Sequence, residues 1–161
     1  MDGEERLMTA QTNIITLVNL INNSVTWMLR SKEYTSEEKI FAYETVDRLY
    51  QLFLYDENYG YEHSALHLLW MNLSKEYAAR KNKEKTVLAL KTTYRHAYEV
   101  DHFQSGKYTS MFANTGRYSK EGFLKNFETG YIDWLKKTMQ EPIFDFIRQT
   151  KEFQQMIASC E

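Results

Sequence analysis

The side chains best suited to chemistry in this chain are four histidines, one cysteine and an unusual supply of tyrosine. His63 and His67 stand four residues apart, so on a helix both imidazoles share one side, the arrangement that grips a zinc ion. No H-E-x-x-H pattern surrounds them, and no carboxylate is placed as an evident third ligand. Glu99 and His102 have the Glu-x-x-His spacing of di-iron bundles. Such a centre needs two of these pairs and two further glutamates on facing helices, and only one pair exists. Neither pair therefore predicts a metal, and no cofactor is expected. Cys160, the single cysteine, can form no intramolecular disulfide, and a fraying terminus is a poor place for a nucleophile. There is no G-x-S-x-G elbow and no glycine-rich phosphate loop. No two carboxylates are paired in an apolar setting that would tune one as acid and one as base. The expectation is a binding protein with no catalytic residues, not an enzyme.

Composition sets what must hold such a binding surface. In 161 residues, 43% are hydrophobic, with twelve Tyr, nine Phe and three Trp. That supply of apolar area builds a core without disulfide or metal support. One proline and six glycines leave too little punctuation for many short strands, so the fold class expected is all-α. A net charge of -2 argues against a domain that grips nucleic acid by itself, which normally carries a basic stripe. The basic run Arg80, Lys81, Lys83 and Lys85 is diluted by Glu84 and reads as a solvated turn between helices. No apolar run approaches 18 residues and the first residues, MDGEERLMTAQ, are acidic, so neither a membrane span nor a signal peptide fits and a cytoplasmic location is expected.

Apolar spacing places the elements. A long first helix is predicted over 4–31, with Leu7, Gln11, Ile14, Val18, Ile21, Val25 and Met28 along its seam. Leu20 and Trp27 point away from that seam, one above the other. A helix apolar on two sides must be covered on two sides, by its own fold or by another subunit. Thr35-Ser36-Glu37-Glu38 is a capping-box pattern that starts a second helix near Ser36, running to about Tyr55. Asp56 to Gly60 breaks the pattern. A third helix over 61–81, a turn at Asn82 and a fourth helix over 83–103 form a central antiparallel hairpin. Residues 104–128 read as irregular, with room for a brief helix near 120–127. Closing helices follow over 129–159, the first capped by Thr129, the second by Thr150, with Phe144, Phe146 and Ile147 packing the connection after Pro142.

The hairpin from Leu66 to Tyr98 resembles a tetratricopeptide repeat. Trp70, Leu73, Ser74 and Tyr77 fall on its W-x-x-L-G-x-x-Y pattern. Thr86 and Thr93 depart from it at positions that usually hold alanine, as do Lys81 at a common glycine and Tyr98 at the closing proline. A wider likeness covers nearly the whole chain from about Glu4. The order YTSEEKIFAYETVDRLYQLF, DENYGYEH and LSKEYAARKNKEK, then YTSMFANTG, WLKK and FDFIRQTKEFQQMI, resembles bacterial XRE-type helix-turn-helix transcriptional regulators with a C-terminal tetratricopeptide-like domain. The last stretch is similar to that group's F-D-x-I-R-x-x-x-E-F ending.

The resemblance implies one tetratricopeptide-like domain over 1–161, with hairpins stacked as an α-solenoid. It also implies an effector-sensing and dimerising role in a transcriptional regulator. No helix-turn-helix pattern is present here, so DNA contact is expected only through an N-terminal domain absent from this chain. The competing expectation is a stand-alone scaffold that recruits a peptide or protein. Among the stacked aromatics Tyr43, Tyr50, Trp70, Tyr77, Tyr94 and Tyr98, core filling and a concave groove are both open readings. Trp70 and Tyr77 are accounted for by repeat packing, which leaves Tyr50, Tyr94 and Tyr98 as candidate groove residues for a peptide or small effector. Leu20 and Trp27 are the candidate interface of a homodimer.

Overall fold

In the computed structural model, residues 2–127 and 129–160 are described. The chain is mostly helical, as the paucity of proline and glycine predicts, and among the described residues no helix is long and apolar enough to cross a membrane.

Helix α1 (Gly3–Ser31) begins at Asp2, whose side chain accepts from the Glu5 amide while Glu5 reaches back to the Asp2 amide. Its buried residues are Gln11, Val18, Asn22 and Leu29. That line differs from the predicted seam: Leu7, Ile21 and Met28 are exposed. The reason lies in Gln11, which hydrogen bonding makes a good buried residue. Its Nε2 donates to the Met111 carbonyl at 2.7 Å and to Asn114, and its Oε1 accepts from the amide and hydroxyl of Thr115. One glutamine thus anchors the 111–115 loop to α1 and rotates the helix relative to its purely apolar stripe.

Helix α2 (Ser36–Phe53) starts with the Thr35–Glu38 capping box that the sequence predicts and stops two residues short of Tyr55. The following turn uses left-handed backbone at Glu57 and Gly60. At Gly60 (φ 50°) a Cβ would lie 2.7 Å from the Tyr108 ring, so only glycine fits. A 3-10 turn (Gly60–Glu62) leads into α3 (His63–Ala79), and Asn82 caps α4 (Lys83–Asp101) by accepting from Lys85. Contacts from His63 to His96 and from His67 to Thr93 show that α3 and α4 run antiparallel.

The irregular stretch holds a two-residue antiparallel ladder, β1 (Gly106–Lys107) with β2 (Arg117–Tyr118), and the short helix α5 (Lys120–Asn126). Helix α6 (Tyr131–Met139) is not capped by Thr129. Gly130 precedes it in left-handed geometry, and the Asp101 carboxylate at the end of α4 accepts from the amides of Gly130, Tyr131 and Ile132. The cap comes from tertiary contact, and it docks α6 on α4. After a 3-10 turn (Pro142–Ile147), Thr150 caps α7 (Lys151–Ser159), and Phe144 and Ile147 are fully buried.

Two large apolar clusters result. One joins α1, α2, α3 and the 108–113 loop around Val46, Tyr50 and Leu73. The other joins α3 and α4 to α6 and α7 around Leu90, Leu135, Phe144 and Phe153.

Candidate functional site

The tyrosines proposed for a groove do not converge. Tyr50 is 1% exposed, and its hydroxyl donates to Asn19 Oδ1 at 2.7 Å, so it is a core residue and lines no open groove. Burial raises its pKa. Its periodicity on α2 is that of any inward residue, which is why sequence alone left both readings open. Tyr94 lies against α7 and donates to the Ser159 carbonyl at 2.8 Å, while Tyr98 is exposed and stacks on His102 with ring centres 4.1 Å apart.

The histidines pair across the central hairpin. His63 Nδ1 and His96 Nδ1 share a hydrogen bond of 2.9 Å, with the Tyr59 ring edge-on to both. His67 Nδ1 lies 3.3 Å from the Thr93 carbonyl, its ring between Tyr131 and Trp134, and its buried Nε2 has no partner among the described residues. Burial pushes His63 and His67 down to about 4 and lowers His96 well below its usual value, so all three are neutral near pH 7. Among the described residues, no three His, Cys, Asp or Glu side chains stand together in a way that could hold a metal ion.

A concave site lies elsewhere, where α1 passes the start of α3. Asn19, Asn22 and Asn23 of α1 face Tyr61, Glu62, Ser64 and Ala65, with Asn126 and Phe127 at the end of α5 closing the third side of a cavity of about 540 Å³. Glu62 is its chemical centre. The residue is 6% exposed; Oε2 accepts from the Tyr108 hydroxyl at 2.6 Å and Oε1 from Asn19 Nδ2 at 3.3 Å. Asn19 in turn accepts from Tyr50, so a hydrogen-bond chain runs from the core to the pocket wall. Burial raises the Glu62 pKa, and hydrogen bonds from Tyr108 and Asn19 oppose that rise without cancelling it. A second cavity of about 240 Å³ shares Asn19, Tyr61 and Glu62 and opens toward Thr115 and Arg117. Aromatic stacking fixes the wall: Tyr61 lies parallel to Phe103, Phe123 and Phe127.

No protein-family model, no curated protein and no solved structure matches this chain.

These pocket residues were absent from the sequence candidates. A signal existed: three asparagines within five residues of an apolar helix interior, where asparagine is a weak helix former and requires a reason. Glu62 stands at the start of the predicted third helix, where an acidic residue is ordinary and gives no such hint.

Leu20 and Trp27 are 57% and 68% exposed, so the chain's own described residues do not cover them. A second apolar line runs beside them, about a quarter turn round the helix. Leu7, Ala10, Ile14, Leu17, Ile21 and Met28 recur at alternating three- and four-residue steps, broken only at Ser24. Of these, Leu7, Leu17, Ile21 and Met28 are exposed large side chains.

Proposed function

We propose that this chain is the regulatory domain of a helix-turn-helix transcriptional regulator. It senses an effector in the Glu62 pocket and pairs with a second copy through the free face of α1. One observation carries this reading: a single helix supplies the pocket asparagines on one side and an unpartnered apolar stripe on another. An effector that contacts Asn19, Asn22 and Asn23 with different strength in two arrangements of α1 biases the pairing surface on its back.

Stacking of the hairpins as a tetratricopeptide-like solenoid is part of the proposal. It is supported by α1, α2, α3 and α4 each packing on the next in chain order. Thr86 and Thr93 occupy repeat positions that usually hold alanine, yet both are 0% exposed, with hydroxyls donating to the Asn82 and Ala89 carbonyls. Small polar residues thus do the close-packing work there. Any contact with DNA belongs to a domain outside this chain.

The partner surface favours an antiparallel second copy. Glu4 lies in the first turn of α1 and Arg30 in the last, so antiparallel pairing brings opposite charges together at both ends and opposes the helix dipoles. A helix of 29 residues is about 43 Å long, and a strip about 10 Å wide buries on the order of 400 Å² per copy. That is about half a standard interface, so association in the micromolar range is expected from this helix alone. Sedimentation equilibrium at micromolar concentrations tests it. The chain is expected to dimerise, and Leu17→Glu to weaken the dimer at least tenfold. A monomer across that range, or a dimer indifferent to Leu17→Glu, would remove pairing from the proposal.

A further inference from the structure

Resting on the reading of the Glu62 cavity as the effector pocket, we propose that its ligand is a primary ammonium compound, a free amine or a peptide amino terminus, bound at the Glu62 carboxylate. A carboxylate taken out of water is normally matched by a cation or a metal. Glu62 is 6% exposed, and among the described residues its two oxygens are met by neutral donors alone, the Tyr108 hydroxyl, the Asn19 amide and its own backbone N–H, which leaves acceptor capacity on the carboxylate. None of the ion pairs among the described residues reaches it. No countercharge therefore stands among the described residues, and the carboxylate borders open cavity on two sides.

The rest of the lining selects the kind of cation. Asn22, Asn23 and Asn126 offer carboxamide oxygens, which accept N–H donors without adding charge. Tyr61 and Phe127 present aromatic rings, which attract an organic cation and its methylene groups through the quadrupole of the ring face. A hard metal ion demands six or more oxygen ligands and gains little from such rings, and one carboxylate does not build that shell. An ammonium group needs three acceptors, which one carboxylate and two amide oxygens supply. Arg117 lines the adjoining cavity but not the larger one, and would repel a cation that strayed there, which confines the charge to the Glu62 side.

The test uses ¹⁵N-labelled full chain and follows the side-chain amide signals of Asn19, Asn22, Asn23 and Asn126 by NMR. The titrants are butylammonium chloride, butanol and sodium butyrate at matched ionic strength. Saturable shifts with butylammonium alone are expected, and Glu62→Gln should weaken them at least tenfold while its amide spectrum stays folded. Should Glu62→Gln fail to fold, Phe127→Ala, at the cavity rim, is expected to weaken the same shifts. Triglycine amide against its N-acetyl form, with putrescine alongside, separates a peptide amino terminus from a small amine. Stronger binding by either supports the assignment and names its source. Saturation with butanol or butyrate instead would overturn the ammonium assignment and leave a ligand site. Saturation with none of the compounds would overturn both the assignment and the effector pocket.

Discussion

The pocket around Glu62 and the cluster of His63, His67 and His96 both draw ionisable groups out of water with no countercharge among the described residues, yet they solve that problem differently. Each histidine has a neutral form it can adopt near pH 7, and burial selects it by lowering the pKa, with the nearby Arg95 charge acting the same way on His63 and His96. His67 and His96 are enclosed by the packing of α3, α4 and α6, with His63 half-buried at the edge, and among the described residues no open volume borders the cluster where a charged partner could enter. Glu62 is an acid, and burial in its case raises the pKa. It is also placed beside open volume, where a partner can enter. Two clusters with similar burial therefore carry opposite meanings: one is a structural plug, the other an unfinished site.

Acid titration separates them most strongly. For His63 and His67, the folded pKa of about 4 lies below the unfolded value of 6.5. Above pH 6.5 both states are neutral and nothing is gained or lost. Between about 6.5 and 4 the unfolded chain takes up protons that the folded chain refuses, so stability falls as pH falls. At about 1.4 kcal/mol per pH unit, each of these two histidines costs about 3 kcal/mol once pH is below 4, and His96 acts in the same direction. Glu62 acts in the opposite sense: its folded pKa is raised, so the folded chain binds the proton first and gains stability as pH falls through that value. Urea unfolding from pH 8 to 4 is expected to show a net steep loss. A flat profile would mean that the histidines are solvated and the plug is not sealed.

This contrast also marks what the sequence makes legible. Helices α2, α3, α4 and α7 follow from spacing and from caps at Thr35, Asn82 and Thr150, because those signals are local and the structure uses them locally. The cap of α6 could not be read, since Asp101 lies 29 residues from Gly130 in sequence and reaches it only through the fold. The rotation of α1 was hidden for the same reason: Gln11 is buried by partners about one hundred residues away. His63 and His67 look like a helical pair in sequence, but His63 chooses His96 on the facing helix. The pocket was least legible of all, being assembled from α1, the turn before α3 and the end of α5.

A smaller effect is expected from removing one donor of the acid cluster. Tyr108→Phe deletes the hydroxyl that donates to Glu62 at 2.6 Å and leaves the carboxylate with one donor fewer. A buried charged acceptor stripped of a partner costs about 1–3 kcal/mol. Thermal unfolding at pH 8 should show that loss, and the loss should shrink at pH 4.5, where Glu62 is closer to neutral. Equal losses at both pH values would mean that the tyrosine hydroxyl matters as acceptor for the Tyr61 amide and for packing around Gly60, and not for the charge.

The smallest effect, and the sharpest contrast, belongs to His67. Its Nε2 is buried without a partner among the described residues, and its Nδ1 contact to the Thr93 carbonyl is long at 3.3 Å. Replacing a half-satisfied buried polar group by an apolar one of comparable bulk is close to neutral, since the desolvation penalty disappears with the group. His67→Leu is expected to change stability by less than about 1 kcal/mol at pH 8. At pH 5 the variant should be more stable than the parent chain, because one of the three suppressed protonations has been removed. The crossing of the two stability curves is the decisive feature. If His67→Leu is destabilised equally at both pH values, the imidazole is held for its contacts with Tyr131 and Trp134, and the base cluster is no mere plug between the helices.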